Sequence, residues 1–215
     1  MTRTALVAGP TGLVGHQLLQ RLLLDPAYTA VRALTRRPLP MQHERLQQVQ
    51  TDLGNLSALG PALQVDDVFC CLGTTLQKAG SRAAFEDVDY RMVTELAAAT
   101  QAAGAHQFIV VSAVGAGARS PAFYNRVKGR MEAAVSALDF AAVHIVRPSL
   151  LLGDRTERRP SEDLAQKISP WLSPLLAGPL SRYRPVEAEE VAEAMLRLAL
   201  RGERGVHIHH LPLAD

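Results

Sequence analysis

Two rhythms of apolar residues run along this chain. Short unbroken apolar runs alternate with longer stretches in which apolar positions return every three or four residues. The first rhythm belongs to strands buried on both faces, the second to amphipathic helices. On that reading the strands are Thr4–Ala8, Thr29–Thr35, Leu46–Gln50, Asp67–Leu72, His106–Ser112 and Ala141–Arg147, with a short last one at Val206–His209. One helix follows Gly15, carrying Leu18, Leu19, Leu22 and Leu23 on one face. A long alanine-rich helix is expected from Ala83 to Ala103, stopped by Gly104, and others from Tyr124 to Leu138 and from Glu187 to Arg201. This alternation predicts an α/β domain built on a doubly wound parallel sheet. No repeat or linker divides the 215 residues, so a single domain is expected, with residues 150–215 forming a small segment on the substrate side. Pro160, Pro170, Pro174, Pro179 and Pro185 break any long element there. Ligands of such sheets sit beyond the carboxyl ends of the strands, so this segment suits a wall or lid for the site, or plain surface covering.

Composition narrows the class. Hydrophobic residues make up 47% and charged residues 20%, as in ordinary globular proteins. A net charge of +2 gives no case for nucleic acid, and no apolar run reaches the roughly 18 residues of a membrane span. The start, MTRTALVAG, enters a strand and then glycines, unlike a secretory signal. Cys70 and Cys71 are adjacent, which suits neither a structural disulfide nor a metal pair. They read as a buried strand end, and a cytoplasmic location is expected. His207 and His209 share one strand face with His210 beside them, an arrangement that suits a metal ion, but an edge strand is the preferred reading and no metal site is expected. Trp171 suits satellite core packing, and the run Arg155–Arg159 a solvated loop.

The chemistry begins at VAGPTGLVG, where Gly9, Gly12 and Gly15 separate the first strand from the first helix. Glycine permits a tight turn and close approach to a bulky anion, toward which the first N–H groups of the helix point. The turn, with Thr11, Leu13 and Val14, is therefore expected to cradle a dinucleotide pyrophosphate. Arg36 and Arg37 close the second strand, where an acid would take the ribose hydroxyls of NAD. Arginines there suit a 2′-phosphate instead, so the expected cofactor is NADP(H). Asp52 and Leu53 follow the third strand, near the expected adenine, and Leu72, Gly73 and Thr74 follow the fourth. A small residue at 73 leaves room for the cofactor, and the Thr74 hydroxyl can bond to it.

Ser112 ends the fifth strand on the ligand side, and Tyr124 and Lys128 lie four apart on one helix face. An ammonium beside a phenol favours the phenolate, which makes Tyr124 the expected proton carrier for a carbonyl or alcohol. Lys128 also suits the nicotinamide ribose, and Ser112 the substrate oxygen.

Together these residues resemble the short-chain dehydrogenase/reductase superfamily. The stretches FCCLGTTLQKAG (Phe69–Gly80), YNRVKGRMEA (Tyr124–Ala133) and RPSLLLGDR (Arg147–Arg155) resemble its atypical, Tat-interactive-protein-like group. PVEAEEVAEAM (Pro185–Met195) resembles the superfamily's C-terminal segment. The resemblance implies a Rossmann fold with NADP(H) in the crevice and Arg147, Pro148, Ser149 and Leu150 near the nicotinamide. It implies hydride transfer to or from a small carbonyl or alcohol substrate, by a monomer or homodimer. Atypical members also include nucleotide-binding regulators without a known substrate, which is the alternative reading. An isomerase or epimerase using NAD transiently fits less well with Arg36 and Arg37.

Overall fold

The computed structural model describes residues 2–152 and 184–213. Seven apolar runs align as one sheet, in which every neighbouring pair is parallel. The strands are β1 (Arg3–Ala8), β2 (Tyr28–Thr35), β3 (Leu46–Gln50), β4 (Asp67–Cys70), β5 (Gln107–Val111), β6 (Ala142–Arg147) and, after the short β7 (Leu151–Leu152) and β8 (Val186–Glu187), β9 (Gly205–His210). Their order is β3-β2-β1-β4-β5-β6-β9, while β7 and β8 pair as a separate parallel ribbon. The sequence suggested no such ribbon. The doubly wound sheet is thus observed, and its central strands are buried on both faces.

Helices cover both sides. α1 (Leu13–Leu24) and α6 (Ala188–Leu200) share one face, where Leu18, Leu19 and Leu22 meet Val191, Met195 and Leu198 around Val7, Phe69 and Ile109. On the other face, α4 (Val93–Ala102) and α5 (Phe123–Ser136) cover Leu6, Val68, Phe108 and Ile145. The C-terminal part is built into the main body of the fold. α6 packs on α1, and β9 extends the main sheet beside β6, because the amphipathic face of α6 needs the same apolar layer that α1 uses. The proline-rich stretch lies outside the described residues over 153–183, as do the expectations for Trp171 and Arg155–Arg159.

The alanine-rich helix is not uniform. α2 (Leu76–Ala79) and α3 (Arg82–Glu86) come first, then a π-helical turn at Asp87–Met92, then α4. A 3-10 segment at Leu56–Leu63 was also unforeseen. The fourth strand stops at Cys70 rather than Leu72, since Cys71 makes a last backbone bond to Ala8 before the chain turns away. Gly104 adopts φ +94 just beyond α4, as the expected helix stop requires.

The amino ends of the strands are tied by a buried polar clamp. Asp67 is fully buried at the start of β4, with Arg3 Nη2 2.5 Å from its Oδ1 and the Tyr28 hydroxyl donating to Oδ2 at 2.7 Å. Arg3 also donates to the carbonyl of Ala199 in α6 at 2.8 Å. Burial pushes the Asp67 carboxyl up to about 6 and the Tyr28 phenol well above its ordinary value.

Within α5, Gly129 is set by a neighbour rather than by its own backbone. A Cβ there would lie 2.2 Å from the carbonyl carbon of Gly117, in the loop after β5. Alanine at an open helix position would stabilise by about 1 kcal/mol. In Gly129→Ala the expected outcome is instead a net loss of about 1–3 kcal/mol, since the backbone in the way has no rotamer to move. A urea midpoint at or above that of the wild type would show that the loop does not pack on α5.

Candidate functional site

Strand order reverses between β1 and β4, and there the carboxyl ends diverge. The opening is a cleft of about 1010 Å³. Its walls are residues 11–14 after β1, residues 71–75 after β4, Ser112 after β5, Tyr124 and Lys128 of α5, and residues 149–151 and 187–189.

The turn after β1 is possible only with glycine. Gly9 has φ +80, and a Cβ on it would lie 2.7 Å from the carbonyl oxygen of Cys71. A Cβ on Gly15 would lie 2.1 Å from the carbonyl oxygen of Gly9. These approaches tuck the turn beneath the cleft and start α1 there. Gly12 gives α1 no side-chain cap, so the positive end of the helix dipole opens toward the residues lining the cleft. Opposite, Gly73 keeps clear a space in which a Cβ would lie 3.4 Å from Asp89 Oδ1 and 3.8 Å from Lys128 Nζ. A cleft of this size with an uncapped helix end and glycines on two walls fits a dinucleotide.

α5 supplies the other wall. Tyr124 is half-buried against Phe85, with ring centroids 5.5 Å apart. Lys128, one turn on, is buried, and its Nζ lies 2.8 Å from Asp89 Oδ1. Asp89 Oδ2 accepts the backbone N–H of Thr74 at 2.8 Å, so this carboxylate ties the π-helical turn to both cleft walls. Burial pushes the Lys128 ammonium down, but the charges of Asp89 and Tyr124 outweigh it and hold its pKa above the ordinary 10.5. Ser112 donates to Glu132 Oε1 at 2.5 Å, and Arg147 grips the same carboxylate through Nε at 2.9 Å and Nη2 at 2.5 Å.

These contacts alter several expectations. Thr11, Gly12, Leu13, Val14, Leu72, Gly73, Thr74, Ser112, Tyr124, Lys128, Ser149 and Leu150 border the cleft, as expected. Arg147 does not border it, because its guanidinium is taken up by Glu132, and neither does buried Pro148. Gly9 and Gly15 act from behind the lining, through the close backbone approach. Arg36 and Arg37 stand exposed beyond β2. Asp52 is exposed and accepts the N–H of Gly54 at 2.8 Å, while Leu53 is buried with φ 66, a left-handed conformation rare for leucine. Neither Asp52 nor Leu53 borders the described cleft.

The sequence reasoning missed Asp89 and Glu132, although both left a signal. Asp89 stands four residues after buried Phe85 and four before buried Val93, so an acid occupies an apolar helix face. Glu132 stands four after Lys128, on the face that already carries the expected chemistry.

Comparisons with known proteins identify the family. A family model described as NAD(P)H-binding matches residues 9–167. The chain belongs to this NAD(P)H-binding family. It is 37% identical to the rat (Rattus norvegicus) protein HTATIP2 over 170 residues, covering 77% of this chain and 70% of the rat protein. It is 34% identical to the mitochondrial protein FMP52 of Candida glabrata over 201 residues, covering 93% of this chain and 86% of that one. The resemblance to the Tat-interactive-protein-like group is thereby borne out. Among solved structures, MoeE5 in complex with UDP-glucuronic acid and NAD superposes with a TM-score of 0.71 at 21% identity, over 96% of this chain and 75% of that one. The oxidoreductase ylbE of Lactococcus lactis gives 0.68 at 17% identity, over 98% and 92%. Both show the shared Rossmann-like fold.

Asp89→Asn tests the ion pair beneath the cleft. Losing one partner of a buried pair typically costs about 3–5 kcal/mol, and a loss of that size is expected by urea unfolding at neutral pH. The pH dependence carries a sign. In the wild type the folded ammonium titrates above 10.5, so its contribution is full below pH 10.5 and is lost as pH rises further. Without Asp89, burial sets the folded pKa below the unfolded one, so the variant gains stability as pH climbs toward 10.5. A variant as stable as the wild type at neutral pH would dismiss the pair.

Proposed function

We propose that this family member is an oxidoreductase of the atypical short-chain dehydrogenase/reductase type, preferring NADP(H) and interconverting a small carbonyl compound with its alcohol. One observation carries the reading. Tyr124 and Lys128 share a face of α5 and border the same cleft as the uncapped N-terminus of α1. The cofactor, when bound, supplies or accepts the hydride. The turn at Thr11–Val14 receives the pyrophosphate, Arg36 and Arg37 meet the 2′-phosphate, and Asp52 and Leu53 lie toward the adenine. Ser149 and Leu150 flank the nicotinamide end.

Tyr124 moves the proton: its hydroxyl donates to the carbonyl oxygen in reduction, and the phenolate takes a proton back in oxidation. Lys128 is fixed by Asp89, so its charge acts on the phenol from a constant position. Ser112 has its hydroxyl proton committed to Glu132. Toward a substrate it therefore presents a lone pair, which accepts the O–H of an alcohol rather than donating to a carbonyl.

A second reading, an NADP(H)-binding regulator or redox sensor without turnover, draws on a specific observation. Ser112 and Lys128 are both already engaged within the protein. As for location, free Cys70 and Cys71 fit any reducing compartment, and FMP52 relatives are named as mitochondrial proteins. Among the described residues, no helix is long and apolar enough to cross a membrane.

Tyr124→Phe keeps the ring against Phe85 and removes the proton carrier. Single-turnover hydride transfer, on a substrate found by screening small aldehydes and ketones with NADPH, should slow by about 10²–10⁴-fold with nucleotide affinity unchanged. Equal rates would take Tyr124 out of the mechanism, and nucleotide binding with no turnover across the screen would favour the regulator. Arg36→Ala and Arg37→Ala should each weaken NADP⁺ binding about tenfold or more, the loss of one charged hydrogen bond, and leave NAD⁺ binding unchanged in calorimetry. A wild type that binds NAD⁺ as tightly as NADP⁺ would overturn the cofactor preference.

A further inference from the structure

His144 lies in the middle of β6 and is fully buried. Parallel pairing sets it opposite His207 and sets Val146 opposite His209 on β9. The three imidazoles therefore leave the same face of the sheet. Their rings stack, with centroids 5.4 Å from His144 to His207 and 5.3 Å from His144 to His209. His144 Nδ1 lies 3.1 Å from His209 Nε2. The turn between α6 and β9 brings in Glu203, and the ligand atoms of His144, His209 and Glu203 all lie within 4.8 Å of one another.

We propose that His144, His209 and Glu203 form a binding site for a divalent transition-metal ion of the zinc class, outside the nucleotide cleft. Two imidazoles and a carboxylate are a donor set that zinc takes, with water completing four-coordination. Donors at zinc bond lengths around a tetrahedral centre sit about 3.3 Å apart, close to the spacing the imidazole pair already has. Glu203 has only to close in from a turn, where its side chain is 36% exposed. In doing so it leaves Arg201, whose guanidinium lies 3.8 Å away and is itself exposed enough to turn to water.

The other ring nitrogen of His144 makes no hydrogen bond among the described residues, so an ion at Nδ1 displaces only the contact to His209. The ion joins three places on the chain: the middle of β6, the edge strand β9 and the turn after α6. It staples the last strand of the sheet to its neighbour. Mg²⁺, which favours oxygen ligands, does not suit the site.

The test uses full-length, tag-free protein stripped with a chelator and then titrated with ZnCl₂ or MgCl₂ in a calorimeter, with thermal melting in parallel. The wild type is expected to bind one Zn²⁺ per chain far more tightly than Mg²⁺ and to melt at a higher temperature with zinc. Glu203→Gln, which keeps the shape of a turn residue and should not disturb folding, and His209→Ala should each weaken zinc binding at least about tenfold. Both should also lose the thermal shift. NADP⁺ affinity is the control for folding and should stay unchanged in both. A wild type that does not distinguish Zn²⁺ from Mg²⁺ overturns the proposal, and so does a folded variant of either kind that binds zinc as the wild type does.

Discussion

Gly15 stands at the first turn of α1 because it has no side chain; a Cβ there would lie 2.1 Å from the carbonyl oxygen of Gly9. Much of the rest follows from that backbone contact. It holds the start of α1 directly beyond the end of β1, so Leu18, Leu19 and Leu22 land on the sheet face that α6 also covers. It also leaves the helix N-terminus open into the cleft at the point where strand order reverses. Core and cleft are thus set by one approach distance, and no substitution at Gly15 can disturb one without the other.

The opposite wall is positioned by charge rather than by contact with glycine. α5 is held by Lys128 on Asp89 and by Glu132 on Arg147, one reaching into the π-helical turn and the other into β6. Buried ion pairs add little net stability compared with apolar packing, but they tolerate little misplacement. Two of them, one helical turn apart on α5, fix the rotation of the helix and so the direction of Tyr124. The π-helical turn has a part in this. The same six residues send Asp89 inward to Lys128 and Thr74, and leave Asp87 and Arg91 to pair outside with each other. A π turn inside a helix often accompanies a functional site.

How much of this was legible follows from how local each signal is. The seven strands of the main sheet, the glycine turn after β1 and the shared face of Tyr124 and Lys128 rest on spacing within a dozen residues, and the structure has them there, with strand ends shifted by a residue or two. Asp89 and Glu132 were within reach of the same logic, since each puts an acid on a buried helix face. The place of β9 beside β6 was not legible, because the pattern of α6 shows that it has an apolar face and not what covers it. The meeting of His144 with His209 depends on that pairing, across 65 residues of sequence, so VHIHH by itself offered no partner from β6 and the edge-strand reading was preferred over a metal site.

The two ends of the sheet divide the work of binding and holding. At the carboxyl ends, β1, β4 and β5 border open space. At the amino ends, Arg3, Tyr28 and Asp67 join β1, β2 and β4, and Arg3 extends the tie to α6. The Asp67 carboxyl titrates at about 6 rather than 3.8, so the folded chain keeps a proton that the unfolded chain releases between those values. A carboxyl shifted that way favours the fold most at low pH and loses the advantage as pH rises through 6, a difference of about 3 kcal/mol. At neutral pH the buried charge is therefore a burden on stability, which the bonds from Arg3 and Tyr28 offset only in part. What the clamp supplies is position: it ties β1, β2 and β4 together at their amino ends, where the pairing of β1 with β2 shifts by one residue between Arg3 and Thr4. Beyond that shift the ladders of β1 with β2 and β4 run in step to Ala8, directly before the turn in which Gly9 meets Gly15.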